Sequence, residues 1–272
     1  MKLGVVGKGG TGKTTVSSLL SMAYVGRGKS VLAIDTDSNP NLAISLGLDE
    51  RTANTAPLVP RSLAVGVGAG LTAAQLIADY AIDTPAGVKL MHAMRVDQAG
   101  SGCTCTNHAA VRSLLGTAID DEVDVAVVDM EAGLEHLSRS GGTLAYADVL
   151  LMVMEPTRKS IITAARTKEL AEELGILRVA GVGNKARLPD DRTLYEEACA
   201  EYGVALAGVV PFEPGIAVAD RKGTRVLLPT GAVSEAIEGI VDFVESREAR
   251  RAALLAEKER VERRLAELSA NV

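Results

Sequence analysis

Short runs of aliphatic and β-branched residues alternate along this chain with longer stretches in which apolar positions recur every three or four residues. The short runs fall at Leu3–Gly7, Ser30–Asp35, Val123–Asp129, Val149–Glu155, Arg178–Asn184 and Val204–Val210. Such near-continuous apolarity is what a parallel strand covered on both faces requires. The amphipathic stretches predict helices over Lys13–Arg27, Asn107–Ile119, Thr157–Leu174 and Asp191–Tyr202, with a further helix near Leu71–Ala81. Strand and helix in alternation give βαβ units. The expected fold is therefore α/β: one domain over residues 1–245, a mostly parallel sheet flanked by helices.

Two stretches break the rhythm. Thr52–Gly70 is rich in Ala, Pro and Gly without clean periodicity and reads as an insertion or mobile connection, and Gly100-Ser101-Gly102 is a second flexible point. Residues 246–272 are dense in interleaved Arg and Glu. Leu254, Val261 and Leu268 recur there every seven residues, with Leu265 adding one apolar position. The expectation is a charged helical tail packed on the body or loosely self-associating. Its apolar face carries no Trp or Phe to mark a membrane-surface helix.

Composition narrows the function classes. Hydrophobic residues at 47% of 272 supply a large core, which excludes a disordered chain. A net charge of −6 argues against a general nucleic-acid binder, and aromatic content of 3% argues against base-stacking platforms. No apolar run approaches the roughly 18 residues of a membrane span, and the first residues run straight into a glycine-rich loop rather than a signal peptide. Three cysteines make no disulfide framework and suit a reducing compartment, so the expected location is the cytoplasm.

That glycine-rich loop carries the strongest chemistry. Gly7-Lys8-Gly9-Gly10-Thr11-Gly12-Lys13-Thr14 fits the P-loop pattern at every fixed position, after an apolar strand and before a helix. Glycines let backbone N–H groups turn inward around phosphates without a Cβ clash, and the following helix presents its positive end. Lys13 is expected to reach the terminal phosphates and the Thr14 hydroxyl to ligate Mg²⁺. Gly9, Gly10, Thr11, Gly12, Lys13, Thr14 and Thr15 are the expected ATP/ADP-binding residues.

A second lysine sharpens the reading. Lys8-Gly9-Gly10-Thr11-Gly12-Lys13-Thr14-Thr15 resembles the deviant P-loop of the MinD, ParA and nitrogenase-iron-protein class of ATPases. The resemblance implies a nucleotide-dependent homodimer in which Lys8 reaches the partner's nucleotide, stabilising transition-state charge as an arginine finger does. Strand two ends in Asp35-Thr36-Asp37-Ser38-Asn39-Pro40-Asn41. By the same resemblance Asp35 holds Mg²⁺-bound water, Asp37 positions the attacking water, and Asn41 matches the class's following Asn. In that class a Pro directly follows the second Asp, whereas here it stands at Pro40. Val125-Ala126-Val127-Val128-Asp129 closes a buried strand on a carboxylate, a Walker B arrangement in which Asp129 orients the magnesium shell while Gly133 lets the loop move. Asn184, in Gly183-Asn184-Lys185, can pair with an adenine edge through its amide donor and acceptor, and the class places a Pro loop, here Pro211-Phe212, on the other side.

Two of the three cysteines lie together at Cys103-Thr104-Cys105, followed by Asn107 as the expected helix N-cap. A helix dipole there favours thiolates, which are soft ligands for Zn²⁺, Cu(I) or Ni²⁺. Two thiolates make half a shell, and the implied dimer would supply four. A redox pair or two small buried hydrophobes are the alternatives. Cys199 reads as a helix-face residue, and His92, His108 and His136 as structural or interface residues.

The deviant P-loop, the switch Asp129-Met130-Glu131-Ala132-Gly133-Leu134-Glu135-His136-Leu137, Glu155-Pro156-Thr157-Arg158-Lys159-Ser160 and the C-x-C together are similar to the CooC-type nickel-insertion ATPases, over about residues 1–240. That resemblance implies a Mg²⁺-dependent ATPase that carries Ni²⁺ or Zn²⁺ on Cys103 and Cys105 of both protomers. Its client would be a metalloenzyme, carbon monoxide dehydrogenase being the class's target. Two rival classes are a MinD/ParA-like positioning ATPase and an iron–sulfur electron-transfer ATPase like the nitrogenase iron protein, whose ligand cysteines lie well apart in sequence rather than adjacent.

Overall fold

The fold is that of a computed structural model, which describes residues 1–39, 41–59, 72–93, 105–116, 119–130, 144, 146–176, 178–226 and 230–246. Eight strands make one sheet: β1 (Lys2–Gly7), β2 (Val31–Asp35), β3 (Ile82–Asp83), β4 (Lys89–His92), β5 (Val125–Asp129), β6 (Val149–Met154), β7 (Val179–Ala186) and β8 (Ala205–Pro211). Their order across the sheet is β3-β4-β2-β5-β1-β6-β7-β8, parallel throughout except for the β3–β4 edge pair. The helices are α1 (Lys13–Gly26), α2 (Leu42–Ser45), α3 (Glu50–Thr55), α4 (Ala73–Tyr80), α5 (Cys105–Leu115), α6 (Arg158–Glu173), α7 (Asp191–Glu201), α8 (Pro214–Lys222) and α9 (Ala232–Glu245). The α/β, mostly parallel expectation holds.

Strand alternation splits the interior into two cores, one on each face. On β6, Val149, Leu151 and Val153 face the side shared with α1 and α9, while Leu150, Met152 and Met154 face the opposite side. Each strand thus buries both faces, which is why its sequence shows no polar alternation. On β7 the second face is made of Gly181 and Gly183. A Cβ on Gly183 would lie 2.6 Å from the Tyr195 ring, so glycine is what lets α7 press its aromatic residue against the strand. Tyr195 then donates its hydroxyl to the Asn184 carbonyl at 2.7 Å, tying core packing to a site residue.

The topology creates a crevice. The chain leaves β1 for β2 on one side, while β5 connects to β6 on the other side of β1. Connections that diverge in this way open a cleft at the carboxyl ends of the strands. At the far end of α1, Arg27 pairs with Glu238 at 2.5 Å, Asp242 at 2.7 Å and Glu245 at 3.1 Å, three acids on one face of α9.

Several elements differ from the sequence expectation. Glu50–Thr55 is helical, although it overlaps the stretch read as a connection, because Asp49 caps it by accepting from the Thr52 N–H at 2.8 Å. A local cap outweighs weak periodicity. Helix α5 begins at Cys105, so Asn107 lies inside its first turn rather than capping it. The short strands β3 and β4 and helices α8 and α9 extend the elements expected. Connection residues 60–70, Gly100–Gly102 and the charged tail from 247 onward lie outside the described residues. No helix among the described residues is long and apolar enough to cross a membrane.

Candidate nucleotide site

The glycine-rich loop joins β1 to α1 at the mouth of the crevice. Gly7 has φ 153°, and a Cβ there would strike the Val153 carbonyl of β6. Gly12 sits at φ 92° directly before the helix, where a Cβ would strike the Asn184 side-chain nitrogen. Both positions therefore demand glycine, one for close strand approach and one for a left-handed backbone. The Thr11 hydroxyl donates to the Lys8 carbonyl at 2.9 Å and the Lys13 ammonium to the same carbonyl at 3.4 Å, folding the loop on itself. Lys13 is only 7% exposed, so its charge is held in the crevice, whereas Lys8 is exposed.

Two buried carboxylates face this loop from the neighbouring strands. Asp35 and Asp129 are register partners on β2 and β5 and are 0% and 1% exposed. Asp35 accepts the Asp37 N–H through Oδ1 and the Leu42 N–H through Oδ2, each at 3.0 Å. Asp129 accepts the Ser17 hydroxyl at 3.0 Å, and the nearby Thr14 hydroxyl also favours its charged form. Burial nevertheless dominates and pushes the Asp129 carboxyl up to about 6. Asp35 is pushed well above the carboxylate range by its own desolvation and by the negative charge of Asp129. Such a pair is short of positive charge. Asp37 lines the adjoining cavity and its Oδ1 accepts the Asn39 N–H at 2.9 Å.

The cavity measures about 560 Å³ and runs from the loop residues Gly9, Gly10, Gly12, Lys13, Thr14 and Thr15 to the ends of β7 and β8. At that far end Asn184, 6% exposed, donates its amide to the Thr11 carbonyl at 2.8 Å. Lys185 reaches the Gly10 carbonyl, and its ammonium lies 3.9 Å from the Glu155 carboxylate. Arg187 stacks over the Phe212 ring at 3.8 Å, and both line the cavity with Pro211. The arrangement is a pocket with a glycine-rich loop at a helix start and a buried cation at one end and a flat cationic–aromatic face at the other. It suits a polyanion joined to a planar ring.

Comparison with known proteins agrees with this chemistry. Residues 5–226 match the profile of the CobQ/CobB/MinD/ParA nucleotide binding domain. The chain belongs to that nucleotide-binding family. It is 35% identical over 237 residues to the carbon monoxide dehydrogenase accessory protein CooC of Rhodospirillum rubrum, covering 82% of this chain and 88% of that protein. It is also 32% identical over 256 residues to an uncharacterised ATP-binding protein of Methanocaldococcus jannaschii, covering 90% and 97% of the two chains. Among solved structures, the septum site-determining protein MinD of Pyrococcus horikoshii, in complex with Mg-ADP, superposes with a TM-score of 0.67 at 20% identity, covering 90% of this chain and 95% of that one. A likeness at that identity speaks for the fold. The deviant P-loop class read from Lys8 and Lys13 is thus the class to which the chain belongs.

Within this MinD/ParA-type fold, one crevice gathers Lys13, Thr14, Thr15, Asp35, Asp37, Asp129, Asn184 and Pro211 from five different strand ends or loops. Asn184 spends one amide hydrogen on the loop backbone, a bond the adenine reading did not anticipate. Asn41 stands at the start of α2 and donates to the Asn39 carbonyl at 2.8 Å. Cys103, Pro40, Glu131, Gly133 and His136 lie outside the described residues, and of Cys105 and His108 only the backbone, in the first turn of α5, is described. His92 is fully buried on β4 and Cys199 is buried on α7 beneath Gly181, where burial lifts its thiol to about 11. Among the described residues no group of three or more His, Cys, Asp or Glu is placed to hold a metal ion.

Sequence reasoning missed Ser17, Thr36, Lys185 and Arg187. Ser17 had a signal: it lies one helical turn past Thr14, on the same face of the helix. Thr36 donates its hydroxyl to the Asp129 carbonyl at 2.9 Å, a contact no sequence pattern announces because 93 residues separate the two.

Proposed function

We propose that this chain hydrolyses ATP as a nucleotide-dependent homodimer and uses the cycle to deliver nickel to a metalloenzyme, carbon monoxide dehydrogenase being the client. The observation that carries this reading is the Cys103-Thr104-Cys105 pair in a chain 35% identical to a carbon monoxide dehydrogenase accessory protein. In this scheme the loop amides and Lys13 hold the phosphates and Asp37 orients the attacking water. Lys8, exposed at the loop, reaches the partner's nucleotide. The buried, charge-deficient carboxylates Asp35 and Asp129 with the Thr14 hydroxyl fit a magnesium ion, which when bound supplies charge neutralisation at the terminal phosphates. Cys103 and Cys105 of both protomers would hold the cargo ion as four thiolates, with zinc as the competing cargo.

The test is metal titration of anaerobically purified protein, with and without ATP, against Cys103→Ser and Cys105→Ser. One nickel per dimer, tightened by ATP and lost in either variant, is the expected result; by linkage the metal then tightens ATP binding by the same factor. Binding of one ion per monomer, or binding indifferent to both variants, would overturn the shared site. Iron with sulfide would point to an electron-transfer ATPase. Absence of any metal would leave a positioning ATPase.

A further inference from the structure

At the end of β7, two consecutive residues grip two consecutive carbonyls of the phosphate loop. Asn184 donates to the Thr11 carbonyl and Lys185 to the Gly10 carbonyl. Neighbouring side chains on a strand point to opposite faces, so both can reach the loop only if the backbone turns between them. It does: Lys185 has φ 60°, the one non-glycine residue in the left-handed region among those described. A lysine gains nothing intrinsic from that conformation, and a β-carbon is strained there. Strain of this kind persists where surrounding contacts over-determine it.

The contacts that hold it concern the loop. Gly10, at φ 83°, has nothing within 4 Å of where a Cβ would be, and the N–H of its peptide with Thr11 donates to the Lys8 carbonyl at 3.3 Å within the loop. The Lys185 ammonium ties the carbonyl of that peptide to the sheet, and Glu155, 3.9 Å away at the end of β6, partly balances its charge. The lysine stem also passes the loop, its Cε 3.8 Å from a Cβ placed on Gly12, and lines the cavity. In a planar trans peptide the N–H points opposite to the carbonyl. Holding the Thr11 carbonyl from outside therefore turns the Gly12 N–H the other way, and holding Gly10 fixes the peptide before it.

We infer that Lys185, balanced by Glu155, is a positioning residue that pre-forms the phosphate loop by tying the Gly10 carbonyl to the sheet. The loop's two lysines and Lys185 then divide the work: Lys13 stays buried in the crevice, Lys8 stays exposed, and Lys185 serves the backbone instead of the ligand. Ordering a glycine-rich loop before binding removes an entropic cost that would otherwise be met on binding. The effect belongs to the polyphosphate portion of any ligand and is independent of its base. It requires only nucleotide binding, and is separate from the cargo of the cysteine pair.

The experiment is competition against a fluorescent ADP analogue by ADP, inorganic tripolyphosphate and adenosine, in wild type, Lys185→Met, Lys185→Arg and Glu155→Gln. Lys185→Met keeps the stem and removes the ammonium. ADP and tripolyphosphate should each weaken about tenfold in it while adenosine is unchanged. Lys185→Arg should recover most of the loss, because a guanidinium can bond the same carbonyl and carboxylate. In steady-state hydrolysis the Met variant should raise KM with kcat within about twofold, as for an interaction made equally before and during the chemical step. Glu155→Gln, which leaves the strained backbone untouched, should weaken tripolyphosphate about threefold and supplies the test should the lysine variants fold poorly. Unchanged tripolyphosphate affinity in both Lys185→Met and Glu155→Gln would overturn the inference, as would an equal loss for adenosine.

Discussion

The two ends of the nucleotide crevice are built on opposite principles. At the β2–β5 end, two carboxylates on neighbouring strands are withdrawn from water and raised in pKa by desolvation despite bonds from Ser17, Asp37 and Leu42. At the β7–β8 end, Asn184 and Lys185 are spent on loop carbonyls and Arg187 rests on Phe212. The first end is unfavourable by itself and awaits positive charge. The second is satisfied by itself and provides shape. Sites that must bind a charged ligand concentrate their electrostatic cost where the charge arrives and keep the surrounding frame relaxed.

The largest effect should come from removing the buried cation between the two ends. Lys13→Ala is expected to weaken ATP and ADP by about 100-fold or more in calorimetric titration, since a charge-assisted contact to phosphate disappears. Asp37→Asn separates chemistry from binding: turnover should fall by about 100-fold while nucleotide affinity stays within about twofold. Full turnover in that variant would move the water-positioning role to Asp129 or Glu131. Lys8→Ala should bind ATP as a monomer, fail to dimerise with a non-hydrolysable analogue in sedimentation, and hydrolyse slowly. Normal dimerisation and turnover together would remove its role in trans.

A smaller effect addresses the acid end directly. Asp129 titrates near 6 in the folded protein against about 4 unfolded, so the native state holds the proton more tightly. Its contribution favours the native state below about pH 4 and is lost as pH rises through 6. In nucleotide-free protein with chelator present, Asp129→Asn should therefore unfold at higher denaturant above pH 6, by roughly 1–3 kcal/mol, and show a shallower pH slope. Equal slopes for variant and wild type would show that the carboxylate is not strained by burial. The smallest effect is the control far from both ends. Arg27→Ala, which breaks the contacts to Glu238, Asp242 and Glu245, should cost about 1 kcal/mol of stability and leave nucleotide affinity unaltered.

Much of this site was readable before any fold was known. Gly7 to Thr14 were readable because the positive φ at Gly7, Gly10 and Gly12 and a lysine opening the helix leave a local pattern in the sequence. Asp35 and Asp129 were readable because an apolar run closing on an acid marks a strand's carboxyl end. Lys185 was not readable, since a lysine after an asparagine is ordinary until the backbone at 185 is seen to turn left-handed toward a loop 175 residues away. Arg187 and Phe212 likewise become a pair only when β7 and β8 lie side by side.

By itself the sequence determined whatever depends on neighbours in the chain: the strand–helix rhythm, the two-faced burial of β6, the glycine loop and its class. It also displayed the Cys103–Cys105 spacing on which the metal proposal rests. The tertiary structure decided whatever depends on register and crossover. Placing β5 between β1 and β2 makes Asp35 and Asp129 partners and gives both their raised pKa values. Setting Gly183 against Tyr195 fixes the strand end from which Asn184 and Lys185 reach the loop. The physical reason is range: backbone conformation and amphipathicity act over a few residues, whereas desolvation and charge coupling arise only when distant strands exclude water together.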